Sequence, residues 1–346
     1  MDSLSQIVLG AATGELVGGR KLGNRALWLG ALAGTIPDLD VFGRFFLDPL
    51  ANLAFHRGIS HSMLFWVIGS VFFGELTLRI SRRPILSRWQ WWGFYFACFA
   101  THVLLDCFTM YGTQLWAPFA DTRVAWSTIA VADPLYTVPF LLALVVLSRK
   151  APGTSGRRYW HRFGWAWSLG YLALTLVNKI QVDQTFETSL HEQRIDASRF
   201  VSNPTILNNL LWNAAAESED AFWLAQHSIF DAEQPVWHRI EKNQEWMDTW
   251  AGDPVLETLK WFSKGYLHLS PIDSSGHPSV LEFSDLRFGF MRADGGPDDD
   301  LVFRFAVDVA PEGHLIFLRA EGGPREGEEM DFLPLLWQRM WGQPIR

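Results

Sequence analysis

The sequence has little charge, little cysteine and comparatively little acid in its first half. Only 19% of its 346 residues are charged against 49% hydrophobic, which excludes a disordered chain. Its two cysteines, Cys98 and Cys107, share one apolar stretch, so no disulfide framework follows and the redox compartment stays open. No uncharged run reaches the roughly 20 residues of a standard membrane helix. The runs cover 62–74, 89–105, 134–148 and 163–178, with a shorter one at 26–37. A basic n-region is lacking after Met1, so the expectation is that no leader is cleaved and the apolar segments themselves direct insertion. Tandem repeats and low-complexity tracts are missing as well.

Most of the acid lies in the second half. Residues 1–179 hold 16 Lys/Arg and 9 Asp/Glu, whereas residues 180–346 hold 13 and 28, so the net charges are +7 and −15. That contrast divides the chain into a membrane-embedded domain at 1–180 and a soluble acidic domain at 181–346. The basic residues form short clusters between apolar runs, which excludes a nucleic-acid partner and makes membrane lipid the expected neighbour. Trp89, Trp91 and Trp92, and again Trp160, Trp165 and Trp167, resemble interfacial aromatic belts.

Alternate connections differ in charge. Arg20, Lys21 and Arg25, then Arg79, Arg82, Arg83 and Arg88, then Arg149, Lys150, Arg157, Arg158 and Arg162 occupy three of them; the others hold only Arg44, Arg57 and Arg123. Twelve basic residues against three put the first set in the cytoplasm and the domain after residue 180 outside it. The expected fold is an all-α transmembrane helical bundle of four to five segments, followed by an α+β extracytoplasmic domain. A soluble helical protein is the competing architecture, but it does not account for basic clusters on alternate loops alone.

In the second half, 210–214 and 221–225 read as a hairpin around the acidic turn Glu217-Ser218-Glu219-Asp220. Helical spacing marks 236–250 and 254–267, and strands are expected at 280–291, 301–309 and 314–319, with a loop at Gly295-Gly296-Pro297.

Chemistry concentrates in a few polar residues of the apolar half. Three histidines stand there before residue 160, within Pro37-Asp38-Leu39-Asp40, His56-Arg57-Gly58-Ile59-Ser60-His61-Ser62 and His102-Val103-Leu104-Leu105-Asp106. His102 and Asp106 are i and i+4 on one helix face. At 1.5 Å per residue, Asp106 lies about 27 Å from Arg88 and His61 about 27 Å from Arg79. With Asp38 and Asp40 after one run and Asp133 opening another, the polar residues gather at the non-cytoplasmic end. Ionisable groups beside lipid default to a functional reading. Imidazoles with carboxylates form a mixed nitrogen and oxygen set suited to zinc, manganese or iron rather than calcium. More than four candidate ligands leave room for one ion or two, and paired ions suit phosphoester hydrolysis. Glu15 and Glu75 read as packing or loop residues, Asp133-Pro134 as a helix start still eligible as an outer ligand, and Arg57 as a partner for phosphate or carboxylate.

The order of these motifs, with Asp2 to Ala12 at the start, Tyr111-Gly112-Thr113, Pro118-Phe119 and Asp133-Pro134, resembles the YdjM family over about the first 180 residues. That family is described as membrane-bound, metal-dependent hydrolases, and also as LexA-binding, inner-membrane-associated proteins. The resemblance implies a bacterial inner-membrane protein with a metal site using Asp38, Asp40, His56, His61, His102 and Asp106. It also implies a remote similarity to zinc-dependent phospholipases C and single-strand nucleases, an analogy of fold alone. Where many relatives carry a histidine near the start, this chain has Gln6.

The resulting expectation is a metal-dependent hydrolase cleaving a phosphoester of a lipid or lipid-linked substrate at the outer face of the cytoplasmic membrane. The six residues would act as catalytic ligands, Asp133 as a seventh or as an orienting carboxylate, and Arg57 as the substrate-phosphate group. The cation would be zinc, or manganese or iron. Two other readings use the same residues: a transporter or proton relay, and a regulatory protein with a structural metal whose C-terminal domain meets a protein partner, LexA entering by the family label alone.

Overall fold

Apolar patterning becomes helix through most of the first half. The computed structural model describes residues 1–81, 85–271, 280–290, 301–323 and 329–343, so Arg82, Arg83 and the Gly295-Gly296-Pro297 loop lie outside the described residues. The helices are α1 (Ser3–Leu22), α2 (Asn24–Thr35), α3 (Pro49–Phe55), α4 (Met63–Ile80), α5 (Arg88–Cys107), α6 (Pro134–Ser148) and α7 (Ser155–Glu192), with 3-10 turns at Pro37–Phe45 and Ile59–His61. Two units form: Met1–Phe46 with Phe55–Leu176 and Ile206–Asn208, and Leu47–Ala54 with Val177–Thr205 and Asn209–Arg346.

In the first unit, α1 and α2 make an antiparallel hairpin whose backbones touch. A Cβ added at Gly14 would stand 2.2 Å from the Ala26 carbonyl oxygen, and one at Gly30 would stand 2.2 Å from that of Gly10. Only glycine allows this approach. Leu22, Ala26 and Ala33 of this hairpin pack with Trp91, Phe94, Phe99 and Val103 of α5, while Val8 and Leu9 of α1 meet Tyr136, Phe140 and Leu147 of α6. The basic helix ends gather: Lys21 donates to Gln90 at 3.0 Å, Asn24 to the Ser148 carbonyl at 2.8 Å, and Arg157 to Glu15 at 2.6 and 2.8 Å.

Among the described residues, one helix, α4, is long and apolar enough to cross a membrane; α6 is apolar but has 15 residues. The four to five expected segments are all helical, yet the length and apolarity criterion is met once. The other runs fall short for visible reasons. The α5 sequence interrupts its run with Gln90, His102 and Asp106, and α7 continues through Lys179, Asp183 and Glu187. On α4, Val67, Ile68, Phe72 and Ile80 are each more than half exposed, an apolar surface left largely open among the described residues.

The second unit is α+β. Strands β1 (Arg199–Pro204), β2 (Leu211–Glu217), β3 (Ala221–Ser228) and β4 (His238–Glu241) form one antiparallel sheet in that order. A second sheet orders β5 (Leu267–Pro271), β6 (Val280–Asp285), β7 (Phe303–Val309) and β8 (Leu315–Gly322) likewise. Short helices α8 (Gln244–Thr249) and α9 (Pro254–Phe262) link them, and α10 (Glu329–Met340) follows. The β2–β3 hairpin pairs Ala214 with Ala225, as the acidic turn predicts. Both faces of the first sheet are covered, Ala214 and Ala216 against Val182, Phe186 and Leu190 of α7, and Ala215 and Leu224 toward Tyr266 and Leu286. The helix expected over 236–250 starts only at Gln244, because 238–241 pairs with the edge of β3, burying Ile240 opposite Phe222. The one expected over 254–267 stops at Phe262, and Gly265 at φ 82° turns the chain into β5.

Candidate metal centre

Three local features deliver the site. Pro37 starts a 3-10 turn directly after α2, placing Asp38 and Asp40 in its first turn. The 3-10 turn Ile59–His61 leads into α4, whose first turn Ser62 caps by accepting from the Phe65 N–H at 3.2 Å. His102 and Asp106 lie one turn apart on the buried face of α5.

These elements bring together Asp38, His61, His102 and Asp106, one ligand atom from each lying within 4.8 Å of every other. His61 Nε2 is 3.2 Å from His102 Nε2, 3.4 Å from Asp38 Oδ1 and 3.3 Å from Asp106 Oδ2. His102 Nε2 is 3.5 Å from Asp38 Oδ1 and 3.3 Å from Asp106 Oδ2. A tetrahedral site with bonds of about 2.0–2.1 Å has edges of about 3.3–3.4 Å. Five of the six edges therefore match the size of a single zinc-like cation.

Tautomers agree with the distances. His102 Nδ1 donates to the Gly34 carbonyl at 2.6 Å, since a carbonyl only accepts, and this turns the Nε2 lone pair toward the cluster. His61 Nδ1 faces Ser60 Oγ at 2.9 Å and Asp40 Oδ2 at 3.3 Å, and the Ser60 hydroxyl donates onward to Asp40 at 2.9 Å. Asp106 Oδ2, fully buried beside the two imidazoles, accepts no hydrogen bond among the described residues. An acceptor left in that state is what a cation would satisfy. Burial works against the Asp38 carboxylate, but His102 and His61 beside it hold its pKa well below the usual range. Burial would likewise lower His61, yet Asp106, Asp38 and Asp40 push it up to about 10. A cation held there would have to displace that proton.

The six residues expected as ligands separate into two layers. Asp40 is not part of the four-donor cluster. It accepts from His56 Nδ1 at 2.9 Å, the Arg57 N–H at 2.8 Å and Ser60, so its oxygens are occupied in orienting imidazoles. Burial would raise its pKa, and the bonds to His56 and His61 lower it far more. His56 is bound to Asp40 and packs on Tyr111, outside the cluster. Asp133 stands elsewhere: it caps α6 through the Leu135 and Tyr136 N–H groups and accepts from the Tyr171 hydroxyl at 2.7 Å. Glu15 pairs with Arg157, and Glu75 with Arg88 and Trp92, as packing and loop roles require.

Arg57 is buried over the Tyr111 ring, 4.8 Å to its centroid. It lies 3.3 Å from Asp106 Oδ1 and donates to Thr109 at 3.1 Å. The Met1 ammonium also donates to Asp106 Oδ1. Three supporting residues escaped the sequence reading as site residues. Ser60 had a signal in its place between Arg57 and His61, Gln6 showed only as a departure from the family, and the Gly34 carbonyl had none.

A helical unit that closes two imidazoles and two carboxylates around the volume of one cation defines a candidate metal-binding helical protein. The chain belongs to the family described as YdjM inner membrane protein, whose sequence model matches residues 1–182, and it is accordingly a membrane protein. It is similar to the "Uncharacterized protein YfhP" of Bacillus subtilis (strain 168), 25% identical over 236 residues that cover 65% of this chain and 68% of that protein. No solved structure matches it.

Proposed function

We propose that this protein is a multi-pass, metal-dependent hydrolase of the bacterial inner membrane. Its substrate is a phosphoester of a lipid or lipid-linked molecule, met at the outer face, where the C-terminal domain is also exposed. The supporting observation is the convergence of His61 Nε2, His102 Nε2, Asp38 Oδ1 and Asp106 Oδ2 at cation-sized separations. A divalent cation there supplies Lewis-acid polarisation of a phosphoryl oxygen and activation of water. Asp40 and Ser60 fix the His61 ring, the Gly34 carbonyl fixes His102, and Arg57 adds a buried positive charge beside Asp106 for an anionic substrate. Because both Asp40 oxygens and His56 Nδ1 are engaged with each other and with their neighbours, the centre takes one cation. The side chain of Asp38 is 23% exposed while the other three donors are buried, so substrate approaches past Asp38. The charge asymmetry of the loops supports the outward orientation.

A structural metal is the second reading, and one observation favours it: four protein donors already complete a tetrahedron, the closed form of structural zinc sites. Metal analysis of the detergent-purified full chain beside a His61→Ala, Asp106→Ala double variant tests both. One ion per chain in the wild type and none in the variant is expected; equal metal in the two removes both readings. Turnover of a chromogenic phosphodiester, lost in the variant, then selects the hydrolase, and metal without turnover selects the structural centre. A reporter fused after Arg346 tests orientation, and activity confined to the cytosol overturns the outward placement.

A further inference from the structure

Resting on the metal-centre reading above, we propose that Gln6 is a positioning residue of that centre, acting through its amide nitrogen. Gln6 lies in the first turns of α1 and is 1% exposed. Its Nε2 donates to the His102 carbonyl at 3.2 Å and to Asp106 Oδ1 at 3.1 Å. One side chain thus ties the first and last residues of the α5 turn that carries two of the four donors. The amide has one orientation, because turning it over would set its oxygen against two other oxygens. Gln6 Oε1 accepts no hydrogen bond among the described residues, so the nitrogen is the working atom.

The consequence for Asp106 is specific. Its Oδ1 is engaged by Gln6 from α1 and by the Met1 ammonium and faces Arg57 at 3.3 Å, which leaves Oδ2 for the two imidazoles. The same helix pair holds His102. The Gln6 backbone oxygen would stand 2.8 Å from a Cβ added at Gly34, and it is the Gly34 carbonyl that receives His102 Nδ1. The Gln6 side chain therefore helps fix the rotation of the Asp106 carboxylate and ties it to the His102 turn without contributing a donor to the cation, while the close approach of its backbone to Gly34 belongs to the helix pair rather than to the amide.

The test uses the full chain in detergent, with zinc affinity from chelator competition and Co(II) absorption as a report on donor geometry. Gln6→Met keeps the side-chain length and removes both N–H donors. Zinc binding about ten- to a hundredfold weaker is expected, with an altered Co(II) spectrum and an unchanged thermal midpoint after chelation. Thr13→Val, a buried polar change deeper in the same helix, is expected to leave zinc affinity and the Co(II) spectrum at wild-type values. Wild-type affinity and spectrum in Gln6→Met overturn the proposal, and so does equal weakening in Thr13→Val, which assigns the effect to a looser α1. If Gln6→Met does not fold, Gln6→Asn serves: one methylene shorter, it cannot reach both partners, so the same loss is expected and wild-type affinity overturns the proposal. Wild-type protein that binds no more zinc than His61→Ala removes the metal-centre reading itself, and the role of Gln6 with it.

Discussion

Each unit buries carboxylate against positive charge, and the two do so to opposite effect. In the second unit, Arg287 donates to both oxygens of Asp285 at 2.6–3.2 Å and to the Phe262 carbonyl at 2.7 Å, and both residues are buried. Asp285 also caps the following 3-10 turn through the Arg287 N–H. Donors and acceptors there balance. In the first unit, Asp38 and Asp106 share a small volume with two imidazoles whose Nδ1 atoms are committed elsewhere, and Asp106 Oδ2 accepts no hydrogen bond among the described residues. What marks the first as a binding centre is this deficit rather than burial or charge. A structural ion pair closes its own account; a cation site keeps one entry open.

The largest expected effect comes from breaking the closed pair. Arg287→Ala leaves Asp285 buried without its partner, and a loss of about 3–5 kcal/mol is expected in denaturant unfolding of the second unit, followed by its tryptophans. Asp38→Asn, by contrast, removes a charge whose neighbours are imidazoles at 3.4 and 3.5 Å. The chelated protein should lose clearly less stability than Arg287→Ala does, because solvent reaches Asp38 and the neighbouring imidazoles can release their protons, while zinc affinity falls by more than the roughly hundredfold typical of supporting residues. If Asp38→Asn destabilises the chelated protein as much as Arg287→Ala does, the distinction between open and closed clusters fails.

Next in size is the glycine seam beneath the open cluster. Gly14→Ala puts a methyl group 2.2 Å from the Ala26 oxygen, so the helices must part, at a cost of about 1–3 kcal/mol. Parting them moves Gly34 from His102, so zinc affinity should drop together with the thermal midpoint. Gly93→Ala is the control, because a Cβ there meets nothing within 4 Å, and exchange of glycine for alanine inside a helix is worth up to about 1 kcal/mol of stabilisation. Equal behaviour of the two variants would deny the seam any part in seating the histidine.

Much of this was legible beforehand, for reasons that particular residues make plain. The His102 and Asp106 pair follows from the period of an α-helix, and the apolar runs locate α2, α4, α5 and α6 closely. The division of labour between Asp38 and Asp40 was not legible. Two carboxylates separated by Leu39 look equivalent in sequence, and only the 3-10 geometry turns one to the imidazole Nε2 atoms and the other to Nδ1 of His56 and His61. The Gly34 carbonyl is backbone and carries no signature at all. In the second unit, the helical window over 254–267 runs on to Leu267, the first residue of β5, because Leu256, Leu259 and Trp261 lead toward it without a proline, and no strand is expected there. Strand β4 escapes local periodicity because its reason for existing is the edge of β3, whose paired residues run from Leu224 opposite His238 to Ala221 opposite Glu241.

Ser60 gives a finer test of the open cluster. Its hydroxyl links His61 Nδ1 to Asp40, so Ser60→Ala leaves the Asp40 contact at 3.3 Å as the remaining hold on that ring. Zinc affinity about tenfold weaker is expected by chelator competition, with no change in the chelated protein's unfolding. An unaltered affinity would show that Asp40 orients His61 alone.

The smallest effect belongs to the solvent-facing charges of the second unit, where neither cluster's logic applies. Glu217 receives Arg199 at 2.6 Å and Lys242 at 2.8 Å. Its partial burial favours the neutral acid, but Lys242 and Arg199 outweigh that and lower its pKa. A carboxyl depressed in the folded state stabilises it fully above the unfolded value, and that contribution disappears as pH falls through the lowered folded value. Glu217→Gln should therefore cost no more than about 1 kcal/mol at neutral pH, since solvent screens the pair. The gap to wild type should shrink once pH drops below about 4.3, the ordinary glutamate value. Urea unfolding of both proteins at pH 7 and pH 4 measures it. A gap that widens on acidification would mean that burial, rather than the two cations, governs this carboxyl.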